Sequence, residues 1–79
     1  MIFLIEYNRI NGKIVTFKQF SETQRELANR SRLNLEIDLN QRGITHEVAL
    51  LEASSEASLR RTHRRYFENL SSLVEPSSG

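Results

Sequence analysis

The sequence contains no cysteine, so neither a disulfide bond nor a thiolate-bound metal can stabilise the fold. It contains only three glycines, and Gly12 and Gly43 stand where a turn and a helix end are expected, which leaves no glycine-rich loop to hold a phosphate. No apolar run approaches the roughly 20 residues that a membrane-spanning helix needs. These absences predict a soluble, cytoplasmic protein without a cofactor or a metal.

The chain also lacks an excess of one charge. Nine arginines and two lysines face ten acidic residues, for a net charge of +1. A dedicated nucleic-acid-binding domain of this size usually carries a larger basic excess. The preference for arginine over lysine nevertheless suits planar, bidentate contacts with carboxylates or phosphates.

Seventy-nine residues are enough for one domain with one core. We expect a single α+β domain over residues 1–74, followed by a tail of residues 75–79 in which Pro76 prevents a helix. Apolar residues make up 38% of the chain, which is slightly lean, so an interface with another molecule is a plausible source of additional burial.

The first segment predicts a β-hairpin. Two β-rich runs, residues 2–9 and 13–20, flank Asn11-Gly12, which is a strong short-range hairpin signal. A two-residue turn would mix polar and apolar side chains on both faces of the hairpin. A three-residue loop with Gly12 in the left-handed conformation separates them, so we favour the bulged turn.

The favoured register pairs Tyr7 with Val15 and Ile5 with Phe17. One face then carries the residues expected in the core, namely Phe3, Ile5, Tyr7, Val15 and Phe17. The opposite face carries Glu6, Asn8, Thr16 and Lys18. Because strand side chains alternate between faces, we expect the second set to be polar surface.

A long helix is predicted next. Ser21 and Gln24 match a capping box at its start, and Gly43 is a typical left-handed residue after its end at Arg42. Residues 33–39 alternate strictly between apolar and polar, which is typical of a strand. If they form a strand, the order of secondary-structure elements ββα occurs twice along the chain. We prefer the helix, because leucine dominates the segment and about 20 helical residues span ~30 Å, close to the length of the hairpin strands.

The long helix has two apolar patches. Leu33 and Ile37 lie on a different side from the main patch, which comprises Leu27, Ala28, Leu35 and Leu39. We expect the main patch to cover the sheet. Leu33 and Ile37 must meet either the second helix or a second copy of the chain in a two-fold dimer.

A third strand is predicted over residues 44–52, with Ile44, Val48 and Leu50 on one face. Ser54 and Ser55 offer an N-cap for a second helix that runs to about Leu70. The predicted fold is therefore ββαβα, a three-stranded antiparallel or mixed sheet of order 2-1-3 with both helices on one face. The alternative is a duplicated hairpin-helix, ββαββα.

The most informative segment is Leu-Arg-Arg-Thr-His-Arg-Arg-Tyr-Phe at residues 59–67. On a continuous helix at about 100° per residue, one face carries four arginines, Arg60, Arg61, Arg64 and Arg65. The other carries Leu59, His63, Tyr66, Phe67 and Leu70. The arginines suit an acidic protein or phosphates, but Glu56 and Glu68, four residues from Arg60 and Arg64, would produce an ordinary solvated face.

The functional prediction is a non-enzymatic protein-interaction module whose arginine-rich helix meets an anionic partner, with self-association as a homodimer through Leu33 and Ile37. Binding of RNA or DNA by the same arginines is the first alternative. A small hydrolase or nuclease using His63 or His46 is the second, although no other catalytic group stands in a defined relation to either histidine. No spacing motif indicates a metal, a cofactor or a small-molecule site.

Overall fold

The computed structural model describes residues 1–68 of the 79. Its elements are β1 (Ile2–Asn8), β2 (Lys13–Phe20), α1 (Arg25–Gln41), β3 (Glu47–Glu52) and α2 (Glu56–Thr62). Short 3₁₀ turns precede α1 at Glu22–Gln24 and follow α2 at Arg64–Tyr66. The predicted order ββαβα is confirmed. The predicted helix end at Leu70, the domain limit at residue 74 and the tail of residues 75–79 lie outside the described residues.

The three strands form one sheet of order β2-β1-β3, in which both outer strands run antiparallel to β1. This confirms the predicted sheet order. β1 is the central strand, and its residues Ile2 to Ile5 are essentially inaccessible to solvent. β3 starts at Glu47, three residues later than predicted, because Ile44 completes the end of α1.

The hairpin register agrees with the prediction away from the turn and differs from it next to the turn. Ile5 pairs with Phe17, but Tyr7 pairs with Ile14 where Val15 was expected. The register shifts between Glu6 and Tyr7, which leaves Val15 as an extra residue without a partner on β1. Val15 is 54% exposed, and Ile14 takes its place in the core.

A longer turn explains this bulge. Asn8 pairs with Lys13, so residues 9–12 form the loop, one residue more than predicted. The Asn8 carbonyl accepts from the Gly12 N–H at 2.8 Å, and the Asn8 side chain accepts from the Ile10 N–H at 2.9 Å. Gly12 has φ of 69°, the left-handed conformation that was expected. The bulge at Val15 takes up the shift and restores the predicted pairing further along the strands.

The predicted start and stop signals are present, but the Ser21–Gln24 capping box opens the 3₁₀ turn Glu22–Gln24, and α1 follows it from Arg25 to Gln41. The Gln24 side chain accepts from the Ser21 backbone N–H at 3.0 Å. At the other end Gly43 has φ of 69°, and the Ile44 N–H reaches the Leu39 carbonyl at 2.9 Å. This six-to-one hydrogen bond after a left-handed glycine is a Schellman motif. Residues 33–39 are helical throughout, so the long helix stands where the alternative fold placed a strand.

The two helices lie on opposite faces of the sheet, which corrects the prediction that they share one. The first face of β1, the α1 face, presents Ile2 and Leu4 to Ala28. The second, the α2 face, presents side chains that pack with Leu59 and Tyr66, namely Phe3, Ile5 and Tyr7. β1 is apolar at four consecutive positions, so both of its faces require a cover.

The second helix is also shorter than predicted. α2 begins at its N-cap Ser55, whose side chain accepts from the Ser58 N–H at 3.1 Å. It ends at Thr62, because His63 has φ of −124° and ψ of 53°, outside the helical region. Of the described helices, neither combines the length and the apolar character that crossing a membrane requires.

Candidate anion-binding surface

The break at His63 divides the four arginines between two elements. Arg60 and Arg61 lie on α2, and Arg64 and Arg65 lie on the following 3₁₀ turn. They therefore do not form the single helix face that the sequence predicts. The turn instead places Tyr66 edge-to-face on Tyr7, with ring centroids 5.2 Å apart.

Arg60 is held from two sides. Its guanidinium pairs with the Glu56 carboxylate at 2.9 Å, the four-residue spacing noted in the sequence. Its guanidinium carbon also lies 4.6 Å from the centroid of the Phe67 ring, within the range of a cation–π contact. Phe67 in turn packs edge-to-face on Phe17, with centroids 6.0 Å apart. The position of Arg60 is thus tied to the hairpin.

Arg65 joins the 3₁₀ turn to β3. It forms an ion pair with Glu47 and lies 4.2 Å over the Tyr66 ring. The Tyr66 hydroxyl donates to the same Glu47 carboxylate at 2.5 Å. Hydrogen bonds from Tyr66 and Arg65 lower the pKa of Glu47, while burial and the nearby carboxylate raise the pKa of Tyr66. Arg65 is therefore engaged within the fold.

Arg64 and Arg61 face outward. Arg64 pairs with Glu68 at 3.0 Å, but its side chain is 71% exposed. Arg61 is exposed, and among residues 1–68 no carboxylate lies within ion-pair distance of it. Among the described residues, Glu47 thus neutralises Arg65, whereas Arg61 has no such partner.

A shallow depression of about 450 Å³ lies between these side chains. We call it the arginine groove, and its lining comprises Ala57, Arg60, Arg61, Arg64, Phe67 and Glu68. Three guanidinium groups and one carboxylate thus line it, and a second carboxylate, Glu56, pairs with Arg60 beside it. The groove presents a positive, partly apolar surface on which a carboxylate or phosphate could accept several hydrogen bonds.

Sequence reasoning missed a second polar cluster, on the α1 face. Glu6 was expected on the polar surface, but it is only 4% exposed. The Thr16 hydroxyl donates to one of its carboxylate oxygens at 2.7 Å, and His46 Nδ1 lies 2.6 Å from the other. Because a carboxylate only accepts, Nδ1 carries the proton. Glu6 lies on the same face of β1 as Ile2 and Leu4. This period-two spacing is the sequence signal that could have predicted its burial.

The pKa of Glu6 reflects two opposed effects. Burial raises it, since the charged form loses water. The hydrogen bonds from His46 and Thr16, together with the electrostatic effect of His46 and Arg42, outweigh the burial and lower the pKa overall. The result is a buried carboxylate held in its charged form between β1, β2 and the connection from α1 to β3.

The two histidines do not converge. His46 binds Glu6 on the α1 face, whereas His63 follows α2 on the other side of the sheet and lies 3.0 Å from the Thr62 hydroxyl. Within residues 1–68, no three His, Asp or Glu side chains are grouped so as to hold a metal ion.

Leu33 and Ile37 project from α1 away from the sheet and are 51% and 47% exposed. The second helix cannot cover them, since it lies on the opposite face. Leu27, predicted to cover the sheet, is also 46% exposed, whereas its neighbour Ala28 packs against Ile2 and Leu4. Ala28 and Leu39 are buried as expected.

Comparisons of the chain with protein-family models, with curated proteins and with solved structures give no significant match.

Proposed function

We propose that the protein is a small cytoplasmic, non-enzymatic interaction module that binds an anionic partner through Arg60, Arg61 and Arg64. The observation that carries the proposal is the arginine groove. It gathers three guanidinium groups, of which Arg60 pairs with Glu56 and Arg64 with Glu68, and Arg61 has no acidic partner among the described residues. Arg65 is left out of the proposed site, because its guanidinium already pairs with Glu47.

The internal ion pairs at the groove are weak enough for a partner to replace them. Arg60–Glu56 and Arg64–Glu68 are exposed pairs at four-residue spacing, a class that contributes only about 0.2–0.5 kcal/mol each. The contact with Phe67 holds Arg60 in place before a partner arrives, which reduces the ordering cost of binding.

A protein partner is better supported than a nucleic acid. The net charge of +1 offers little of the long-range attraction that phosphate backbones exploit. Tyr7 and Phe17, two of the four aromatic side chains of the hairpin, pack under Tyr66 and Phe67. They are therefore not available for stacking of bases on the sheet.

The test is the binding of fluorescent polyglutamate, measured by anisotropy, to the wild-type protein and to two charge reversals. Arg61→Glu should weaken binding by about tenfold or more, a difference of roughly 1.4 kcal/mol. Arg30→Glu is the matched control, since Arg30 is an exposed arginine on α1. Equal weakening by both substitutions, or by neither, would contradict the proposed site.

A second candidate, self-association, is favoured by the exposure of Leu33 and Ile37 on the outer side of α1. Mass measurement in solution at tens of micromolar tests it. We expect a dimer for the wild-type chain and a monomer for the Leu33→Ser/Ile37→Ser variant. A wild-type monomer at that concentration would remove this candidate.

A further inference from the structure

A second depression adjoins the arginine groove. It has a volume of about 340 Å³ and is lined by Gly12, Lys13, Ile14, Arg60, Tyr66 and Phe67. We call it the turn groove, because the hairpin turn forms one wall. Arg60 and Phe67 line both depressions, so together they form one continuous surface from α2 to the hairpin turn.

The two grooves differ in chemistry. The arginine groove carries three guanidinium groups. The turn groove carries two cationic side chains, Lys13 and Arg60, and it offers apolar contact at Ile14 and Phe67, which are only partly buried in the cluster beneath the 3₁₀ turn. A ligand that spans both grooves therefore meets positive charge along its length and can place an apolar group against Ile14 and Phe67.

We propose that the partner segment is a short acidic peptide that carries an apolar anchor. Its carboxylates bind Arg61 and Arg64 in the arginine groove, and a neighbouring aliphatic side chain lies in the turn groove against Ile14 and Phe67. This inference rests on the proposed function and adds the chemical class of the partner. The complementarity is electrostatic along both grooves and apolar at Ile14 and Phe67, an arrangement by which an interface gains both orientation and affinity.

The contacts of Phe67 favour a peptide over a nucleic acid. The Arg60 guanidinium lies over the Phe67 ring at 4.6 Å, and Phe17 packs edge-to-face with the same ring. A base would have to displace Arg60 in order to stack on that face. An aliphatic side chain needs only the partly buried flank of the ring and Ile14.

Three probes and the full chain test the inference. The probes are a labelled glutamate-rich peptide with one leucine, the same peptide with serine in place of the leucine, and a single-stranded oligonucleotide of equal charge. The wild-type protein should bind the leucine peptide at least about fivefold more tightly than the serine peptide. The preference should persist at high salt, because screening weakens the ionic contacts and not the apolar one.

Two matched substitutions on β2 locate the anchor. Ile14→Thr should abolish the preference for leucine, whereas Val15→Thr should keep it, since Val15 is an exposed bulge residue outside the turn groove. If the Ile14→Thr protein does not fold, the comparison of the two peptides on the wild-type protein still decides.

The outcomes separate the two proposals. Suppose that the wild-type protein binds the leucine and serine peptides equally and that Arg61→Glu abolishes the binding of both. This result would overturn the apolar anchor and leave the proposed function standing. Binding that Arg61→Glu does not alter, or no binding at all, would overturn both. Tighter binding of the oligonucleotide than of either peptide at physiological salt would overturn the inference in favour of a nucleic acid.

Discussion

Substitution of Glu6 by glutamine tests the buried cluster on the α1 face. Glu6 accepts from Thr16 and from His46 while only 4% exposed. A glutamine has one oxygen, so it can accept only one of the two hydrogen bonds, and its amide nitrogen faces the other group. Hydrogen bonds to charged groups contribute about 1.5–3 kcal/mol. At about 4–8 °C per kcal/mol for a domain of this size, we expect the melting temperature to fall by about 6–24 °C.

The effect of Glu6→Gln should depend on pH in one direction. Hydrogen bonds from His46 and Thr16 hold the pKa of Glu6 below its ordinary value in the folded protein, against the raising effect of burial. In the unfolded chain its value is about 4.3. A group whose pKa is lower in the folded than in the unfolded protein stabilises the fold fully at pH values above its unfolded pKa. This stabilisation is lost as the pH falls through its folded pKa. The difference between wild type and variant should therefore be largest at neutral pH and should shrink in acid.

Urea unfolding followed by circular dichroism at neutral pH and at about pH 3 measures both quantities. Glu26→Gln is the control, since Glu26 is exposed and forms no ion pair within residues 1–68. The control should change the free energy of unfolding by about 0.5 kcal/mol or less. A Glu6→Gln protein as stable as the control at neutral pH, or one whose deficit is undiminished in acid, would refute the reasoning.

Three further substitutions test single contacts by the same unfolding assay. Tyr66→Phe removes the hydroxyl that donates to Glu47 and should cost about 1–2 kcal/mol; an unchanged midpoint would show that Arg65 alone satisfies the carboxylate. The Cβ that Gly43→Ala adds would have no atom within 4 Å. The expected loss of about 1 kcal/mol in the free energy of unfolding therefore comes only from the left-handed backbone, and a stabilised protein would contradict this. Ser55→Ala removes the cap of α2 and should lower the free energy of unfolding by about 1 kcal/mol. An unchanged free energy of unfolding would show that water replaces the cap.

Much of the candidate site was visible in the sequence as residues, but not as an arrangement. The four-residue spacing correctly indicated the pairs Arg60–Glu56 and Arg64–Glu68. It could not indicate that Arg65 would reach Glu47, because that contact joins residues 18 positions apart. Nor could helical periodicity foresee the break at His63, after which Arg65 turns to Glu47 while Arg64 still lines the arginine groove with Arg60.

Local chemistry by itself determined the elements and most of their limits. The Asn-Gly turn, the Ser21–Gln24 cap and Gly43 act on their immediate neighbours, so their effect can be read from a few adjacent residues. The order of strands also followed, since short antiparallel and crossover connections leave few topologies.

Tertiary structure alone decided which faces are buried. The apolar run of β1 requires cover on both sides, and this divides α1 and α2 between the two faces of the sheet. The same division buries Glu6, exposes Leu33 and Ile37, and brings Arg60 over Phe67 beside the hairpin turn. These contacts join residues distant in sequence, and their energies depend on burial and on partners that exist only after the chain has folded.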